Sequence, residues 1–171
     1  MIDLAKKIDH EAGIVDGIEY HVGNCAEDLN LGQYDVVFSS FFLVHASDRH
    51  QLEKFAQSMF NSAKSGAICC GLTYNAFLKT EDFPFLLKYG YDIRLNDNPK
   101  EGDIRTIHYD SFDIRDSYMP PATTEAVFKS CGFVNFRWQH TSLDSAHGDE
   151  EEFLRDYLAH PNGIMYYCEK P

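Results

Sequence analysis

The strongest constraint on the fold is a strand–helix–strand alternation in the first half of the chain. Residues 34–40 (YDVVFSS) form a continuous apolar run behind an acid, and residues 67–74 (AICCGLTY) form a second one. Between them, Asp48 is followed three residues later by Gln51, which is a helix-capping pattern, and Gly66 is a typical helix end. Strands that are apolar on both faces are typical of parallel sheets, and short strand–helix–strand connections build such sheets. The sequence therefore predicts an α/β fold.

The remaining elements are predicted from hydrophobic periodicity and turn residues. The predicted strands are residues 18–22, 103–112, 133–140 and 163–170. The predicted helices are a short one near 81–90, one that begins at the threonines of 120–133 and ends at Gly132, and one over 148–160. Because no repeat or low-complexity linker interrupts this pattern, we expect a single domain over residues 1–171.

Charge and composition exclude several classes of protein. The formal net charge of −12 repels phosphate backbones, so we expect no nucleic-acid partner. The longest apolar run is too short to span a bilayer, and the N-terminus lacks a secretory signal pattern. We therefore expect a cytoplasmic protein that is not bound to membranes.

The cysteines and histidines predict no metal centre. The five cysteines form no C-x-x-C pair, which favours buried, reduced thiols over a disulfide framework. His45 and His50 could share a metal ion, but no carboxylate or thiolate stands at ligand spacing to complete its shell.

The chain opens with an amphipathic helix whose partner is not evident. Ile2, Ala5 and Ile8 fall on one face at helical spacing. We expect this face to lie against another molecule, a rearranged sheet or solvent.

The order of these motifs resembles the class I S-adenosylmethionine-dependent methyltransferases over nearly the whole chain. The helix "MIDLAKK" precedes "GNCAEDL" at the end of a strand, and "LGQYDVVFSSFFLVHA" is similar to the fourth-strand motif of that family. "AKSGAICCGL" resembles the turn into the fifth strand, and "TTEAVFKSCGFVNF" resembles a late helix-to-strand turn. The resemblance implies a Rossmann-like sheet, mostly parallel with an antiparallel last strand, and S-adenosylmethionine as cofactor.

The resemblance also implies which residues bind the cofactor. Around the adenine these are Asn24, Cys25 and Ala26, and beside the methionine and ribose they are Ser39, Ser40 and Phe41. Asn24 and one of the phenylalanines that follow Ser40 have alternative explanations, as a turn residue and as core.

The methyl acceptor is expected to be a small molecule bound beside the cofactor. His45 follows the strand on a loop and is the candidate general base, because its ordinary pKa is near ~6.5. A structural hydrogen-bonding role for His45 is equally open. The candidate substrate wall consists of Tyr74, His108, Tyr109 and Tyr118. Residues 76–103, which are polar and turn-rich, are expected to form a lid or a substrate-selecting insert.

The family's glycine-rich loop and first two strands are absent from this sequence. No G-x-G occurs in the 171 residues, and the family's sheet order 3-2-1-4-5-7-6 would place the missing strands between residues 18–22 and 34–40. The sheet could be completed by a preceding segment or by a second copy in a homodimer, or it could be rearranged in an inactive protein. Two functions therefore remain: an N-terminally truncated methyltransferase, or an inactive methyltransferase-like binding module. A nicotinamide-dependent dehydrogenase would need the same missing glycines, and no G-x-S-x-G elbow supports a serine hydrolase.

Overall fold

The computed structural model describes residues 2–13, 17–27, 29–140, 142 and 149–171, which form an α/β fold. The helices are α1 (Ile2–Glu11), α2 (Arg49–Ser62), α3 (Phe83–Leu86), α4 (Pro121–Ser130) and α5 (Asp149–Ala159). The strands are β1 (Tyr34–Ser40), β2 (Ala63–Tyr74), β3 (Asp92–Arg94), β4 (Ile104–His108), β5 (Asp113–Ser117), β6 (Val134–His140) and β7 (Gly163–Glu169).

The main sheet has the strand order β1-β2-β7-β6. Strands β1 and β2 are parallel, whereas β7 is antiparallel to both of its neighbours, β2 and β6. Three strands therefore run in one direction and the last strand of the chain runs against them. This confirms the predicted Rossmann-like sheet with an antiparallel last strand.

Helix α2 begins as predicted and ends earlier. The Asp48 side chain accepts a hydrogen bond from the Gln51 N–H at 2.8 Å, which satisfies one of the free donors of the first turn. The helix was expected to end at Gly66, but it ends at Ser62, because the chain passes directly into β2 at Ala63. Gly66 instead lies within β2 and adopts a positive φ of 80°.

The main core lies between the sheet and the helices α2 and α4. Leu52 of α2, Phe128 of α4 and Tyr166 of β7 are all fully buried in it. The ring of Phe128 lies 5.3 Å from each of the rings of Phe133, Phe136 and Tyr166. These aromatic contacts fix α4 against the sheet.

A second, three-stranded antiparallel sheet has the order β3-β4-β5. Residues 103–112 were predicted as one strand; this prediction was wrong in its extent, because the strand ends at His108 and a turn leads into β5. The small core of this sheet contains Leu86, Ile93 and Ile107. Part of the segment 76–103 thus belongs to the second sheet.

Helix α5 is attached to the second sheet's side of the molecule by polar contacts. Lys88 and Asp156 form an ion pair at 2.8 Å, and His160 lies 2.9 Å from Asp82. The Tyr89 hydroxyl donates a hydrogen bond to the Phe153 carbonyl. The segment that precedes β3 is therefore fixed at several points.

The predicted strand at residues 18–22 is not formed. Ile18 is 51% exposed and Val22 is 90% exposed, and no ladder connects this segment to β1. A strand needs a neighbouring strand to satisfy its backbone groups, and the described residues provide none at this position. Helix α1 likewise has no buried residue: Ile8 of its apolar face is 54% exposed, whereas Ile2 and Ala5 are partly buried, so this face is only partly covered.

No helix among the described residues is both long and apolar enough to cross a bilayer. The described part of the chain also contains no group of three or more His, Cys, Asp or Glu side chains that could hold a metal ion. All five cysteines are free, and Cys69 and Cys168 are buried.

Candidate functional site

The carboxyl end of β1 turns sharply at Phe41. This residue has a positive φ of 48°, which is uncommon for a residue with a side chain, and its N–H donates to the Leu72 carbonyl at 2.7 Å. Its ring lies 4.8 Å from the ring of Tyr74 at the end of β2. The turn leads into a short 3₁₀ helix, Leu43–His45, so the ends of both parallel strands and this helix meet at one edge of the sheet. Ligands of open α/β sheets bind at this edge.

A small cavity of about 30 Å³ lies beyond the ends of β1 and β2, below the second sheet. Leu43 and Tyr74 line it from the main sheet, Arg105 and Tyr118 line it from the second sheet, and Trp138 lines it from β6. Among the described lining residues, Arg105 carries the only charge. A volume of this size holds one or two water molecules or a small functional group of a ligand.

Arg105 is held by a buried ion pair with Asp116. The two residues face each other on β4 and β5, and the guanidinium donates two hydrogen bonds to the carboxylate, both at 2.9 Å. The side chain of Arg105 is 7% exposed and that of Asp116 is not exposed. Burial raises the pKa of the Asp116 carboxyl, against the opposing effect of Arg105. The guanidinium also lies 4.1 Å above the ring of Tyr74, which connects the second sheet to the main sheet.

His45, the candidate base, is exposed at the end of the 3₁₀ helix. Its backbone N–H donates to the Phe42 carbonyl at 3.1 Å. When His45 is protonated, its charge lowers the pKa of Asp116, so the imidazole lies within electrostatic range of the buried ion pair. The side chain is accessible to solvent, but His45 lies outside the cavity lining, which its neighbours Leu43 and Val44 reach.

The four candidate substrate residues are not all brought together. Tyr74 and Tyr118 line the cavity, and burial raises the pKa of Tyr74 to about 12. Tyr109 packs with Tyr74 in the small core and lies outside the cavity lining. His108 lies on the face of β4 opposite Arg105, and its Nδ1 atom is 2.7 Å from a carboxylate oxygen of Asp113.

Comparisons with known proteins identify the fold. The sequence matches no protein-family model and no curated protein. The structure is similar to an S-adenosylmethionine-dependent methyltransferase of Clostridium acetobutylicum, with a TM-score of 0.65 and 11% identity over 99% of this chain. The chain has a class I methyltransferase-like fold. A protein of Pyrococcus horikoshii gives a TM-score of 0.63 and 13% identity over 98% of this chain. A methyltransferase of Methanosarcina mazei gives a TM-score of 0.51 and 16% identity over 96% of this chain. The chain spans 70%, 65% and 76% of the lengths of these three proteins.

In the methyltransferase-like fold, the segment 24–26 forms a local turn. The Asn24 amide oxygen accepts the Ala26 N–H at 3.1 Å, and its amide nitrogen donates to Glu27 at 2.9 Å. Ala26 packs against the main core and Cys25 is half-buried. These residues lie outside the cavity lining, and the amide of Asn24 already has partners on both of its polar atoms.

The three candidate cofactor residues at the end of β1 differ in burial and in the contacts that their side chains make within the protein. The Ser39 hydroxyl lies 2.6 Å from the Tyr166 hydroxyl, a contact that crosses over Gly71 of the intervening strand. Ser40 is exposed and Phe41 is half-buried. An exposed hydroxyl and a half-buried aromatic ring at consecutive positions of the strand end would suit one side of a molecule such as S-adenosylmethionine.

Arg105, Asp116 and Trp138 belong to the site but were not predicted from the sequence. Arg105 and Asp116 meet only through the hairpin register, which pairs them directly. The available signal was their opposite charges at equal distance from the turn at residues 109–112, which contains no glycine or proline. Trp138 lies in a segment that was predicted as a strand, 133–140, but the packing that brings its ring to the cavity cannot be read from the sequence.

Proposed function

We propose that this chain takes part in methyl transfer from S-adenosylmethionine to a small molecule and supplies the acceptor side of the site. The observation that carries the proposal is the cavity at the carboxyl edge of the main sheet, covered by the second sheet. The similarity of the fold to methyltransferases supports this function.

When bound, the cofactor supplies a methyl group that is already activated on a sulfonium. The chain's own residues then have mainly to hold and orient the acceptor, because in-line displacement depends on alignment. The adjacent rings of Phe41 and Tyr74 would stabilise a nearby cation. Tyr118 and Arg105 would orient the acceptor from the second sheet, and residues 76–103 would cover it.

We propose His45 as the group that takes a proton from an acceptor hydroxyl or amine. Its exposed position directly after the cavity-lining residues Leu43 and Val44 supports this role. The wall of the cofactor site beyond β1 would come from a second copy or from another segment, because the described residues fit only one side of the cofactor.

The direct test is binding of S-adenosylhomocysteine to this chain, measured by calorimetry and by thermal shift. We expect micromolar binding with a raised melting temperature, since a ligand that binds only the folded state stabilises it. Absence of a shift at millimolar ligand would rule out catalysis by this chain alone. If the Asn24 amide exchanges its contacts with Ala26 and Glu27 for the adenine, Asn24→Ala is expected to weaken binding by a few-fold to tens-fold, the loss of ~1–2 kcal/mol for a hydrogen bond.

The role of His45 is tested separately. We expect His45→Gln to lower turnover with little change in cofactor affinity, because an amide keeps the polarity of the side chain but cannot take the proton. Turnover equal to that of the unsubstituted chain would assign His45 a structural role.

A second candidate function is an inactive methyltransferase-like binding module. It is favoured by the contacts that occupy Asn24 and Ser39, two of the expected cofactor-binding side chains, within the protein. Micromolar binding of S-adenosylhomocysteine would contradict this alternative.

A further inference from the structure

A buried threonine lines the cavity at the carboxyl edge of the main sheet. Thr73, near the end of β2, is 7% exposed and belongs to the cavity lining. Among the described residues, none donates a hydrogen bond to its hydroxyl or accepts one from it. Buried hydroxyl groups in native proteins are nearly always hydrogen-bonded. The Thr73 hydroxyl is therefore available to a polar group that enters the cavity.

The guanidinium of Arg105 brings further donors to the same cavity. Asp116 accepts one hydrogen bond from Nε and one from Nη2. A guanidinium carries five N–H donors, so three remain, two of them on Nη1. None of these three has a hydrogen-bond partner in the described part of the chain. Because a guanidinium offers no acceptor, the groups that it can bind here are hydrogen-bond acceptors.

The charge of Arg105 is already balanced by Asp116, whose side chain is not exposed. A ligand carboxylate would add a buried negative charge, and the described lining residues hold no second cation to balance it. A ligand ammonium would lie close to the like charge of the guanidinium. A neutral group that accepts hydrogen bonds avoids both costs.

The rest of the lining suits the carbon atoms beside such a group. The apolar members are Leu43, Val44, Leu52, Met119 and Trp138. A volume of about 30 Å³ holds a functional group rather than a whole molecule, so the remainder of a ligand lies outside it. Ala76 and Tyr118 of the lining are partly exposed, which gives access to the cavity.

We infer that this cavity binds a neutral carbonyl group, and that Thr73 and Arg105 select methyl acceptors that carry one, as an amide, ester or ketone. The carbonyl oxygen accepts hydrogen bonds from the Thr73 hydroxyl and from Nη1 of Arg105. The apolar walls contact its carbon substituents. That the ligand is the methyl acceptor rests on the proposed function, whereas the preference of the cavity for a carbonyl group does not.

Tyr74 connects this subsite to the end of β1. Its ring lies 4.1 Å below the Arg105 guanidinium and 4.8 Å from the ring of Phe41. A molecule whose carbonyl group is bound at Arg105 is therefore one aromatic side chain away from Phe41, a candidate cofactor residue. This separation suits a small acceptor that is bound at one end.

The preference is tested by NMR at the single tryptophan of the chain, which lines the cavity. The Trp138 indole N–H, which donates to Glu125 at 2.8 Å, gives one signal to follow. The probes are acetamide, acetate and acetamidinium, which share a shape and are neutral, anionic and cationic at neutral pH. We expect acetamide to shift the signal saturably with a Kd of roughly 1–50 mM. The other two should bind at least about tenfold more weakly. Acetate or acetamidinium binding as tightly as acetamide, or no saturable shift up to about 0.5 M acetamide, would overturn the inference.

Two threonines of the lining provide matched variants. Thr73→Val and Thr124→Val each replace a hydroxyl by a methyl group, in residues that are 7% and 5% exposed. The Thr124 hydroxyl already donates to the Pro120 carbonyl, at 3.5 Å. We expect Thr73→Val to weaken acetamide binding by roughly five- to tenfold and Thr124→Val by less than about twofold. Equal effects of the two variants would contradict the role of Thr73.

The role of Arg105 is measured in the double variant Arg105→Met with Asp116→Leu, which leaves no buried charge unpaired. We expect acetamide binding to become undetectable while circular dichroism shows a folded protein. Arg105→Lys, which keeps the charge but lacks the planar fork, answers the same question if the double variant does not fold. It should weaken acetamide binding by about fivefold or more. Unchanged affinity in the folded variant would overturn the inference.

Titration with S-adenosylhomocysteine separates this inference from the proposed function. We expect Thr73→Val to leave the affinity for S-adenosylhomocysteine unchanged within about twofold, because Thr73 is not among the candidate cofactor residues. Selective acetamide binding without S-adenosylhomocysteine binding would support the carbonyl subsite and contradict catalysis by this chain alone. Binding of S-adenosylhomocysteine without a preference for acetamide would overturn the carbonyl subsite and leave the proposed function standing.

Discussion

Strands β1 and β7 flank the same strand, β2, but their surroundings differ. On β7, Tyr166 is fully buried below α4, and its hydroxyl contacts Ser39 and the sulfur of Met59. On β1, Phe38 is 60% exposed and the outer edge has no ladder among the described residues. The difference indicates that β2, β7, α2 and α4 make most of the buried contacts of this fold, whereas β1 packs on the core with one face and leaves the other exposed.

Two phenylalanines test this difference with the largest expected effect. Phe128→Ala removes a fully buried ring from the main core and should lower the free energy of unfolding by about 3–5 kcal/mol. Phe38→Ala, at a ring that is 60% exposed, should change it by less than about 0.5 kcal/mol. Denaturant unfolding measures both. Similar losses in the two variants would mean that β1 is as well packed as the interior.

The ion pairs offer the same comparison between interior and edge. Asp116→Ala leaves the buried Arg105 guanidinium without its carboxylate and should lower the free energy of unfolding by about 3 kcal/mol. Asp35→Ala breaks the exposed pair with Lys64 and should leave the melting temperature nearly unchanged. The double variant Arg105→Met with Asp116→Leu removes both buried charges and should recover most of the stability. A loss equal to that of Asp116→Ala alone would show that the charges themselves are needed.

A smaller effect is expected at Gly71, where β2 lies between Ser39 and Tyr166. A Cβ atom at this position would lie 2.5 Å from the Ser39 carbonyl oxygen and 2.7 Å from the Tyr166 ring. Gly71→Ala should therefore lower the free energy of unfolding by about 2 kcal/mol through overpacking. Adding Ser39→Ala removes the clash with the Ser39 hydroxyl and should restore part of the loss, as followed by thermal unfolding. Full stability of Gly71→Ala would contradict the close contact of these strands.

The smallest effect is expected from the N-terminal cap of α2, which contributes to the stability of the protein at low pH. The Gln51 N–H lowers the pKa of Asp48 below its ordinary value of 3.8. A carboxyl group whose pKa is lowered by folding stabilises the protein at pH values above its ordinary pKa. This contribution is lost as the pH falls through the pKa of the folded state. Asp48→Asn keeps a capping oxygen but does not titrate, so its melting temperature should fall less between about pH 6 and pH 3. Identical pH profiles would contradict the capping role of Asp48.

The main sheet could be predicted from the sequence because its signals are local. Apolar runs at β1 and β2, the cap at Asp48 and the turn at Gly132 each identify an element without knowledge of the rest of the fold. The second sheet could not be predicted in full, because β3 and β5 are short and polar and are stabilised by pairing with β4. The segment 18–22 alternates between apolar and polar residues as a strand does. It does not form a strand, because no neighbouring strand among the described residues pairs with it.

The candidate site was predictable only where it follows a strand end. Phe41 and Tyr74 come directly after β1 and at the end of β2, so their position at the carboxyl edge was expected from the strand order alone. The Arg105–Asp116 pair depends on the register of a hairpin, and the Ser39–Tyr166 contact joins residues 127 positions apart across a third strand. Such contacts depend on tertiary packing, which no local pattern contains.

Amide hydrogen exchange of β1, resolved by residue with NMR, tests the contrast between the two sides of the sheet most directly. In dilute protein we expect the N–H groups of Val37 and Ser39, which point to β2, to exchange slowly. Those of Val36 and Phe38, which point away from β2, should exchange rapidly. Slow exchange of Val36 and Phe38 already in dilute protein would contradict the account, because it would mean that the outer edge of β1 is covered within the monomer.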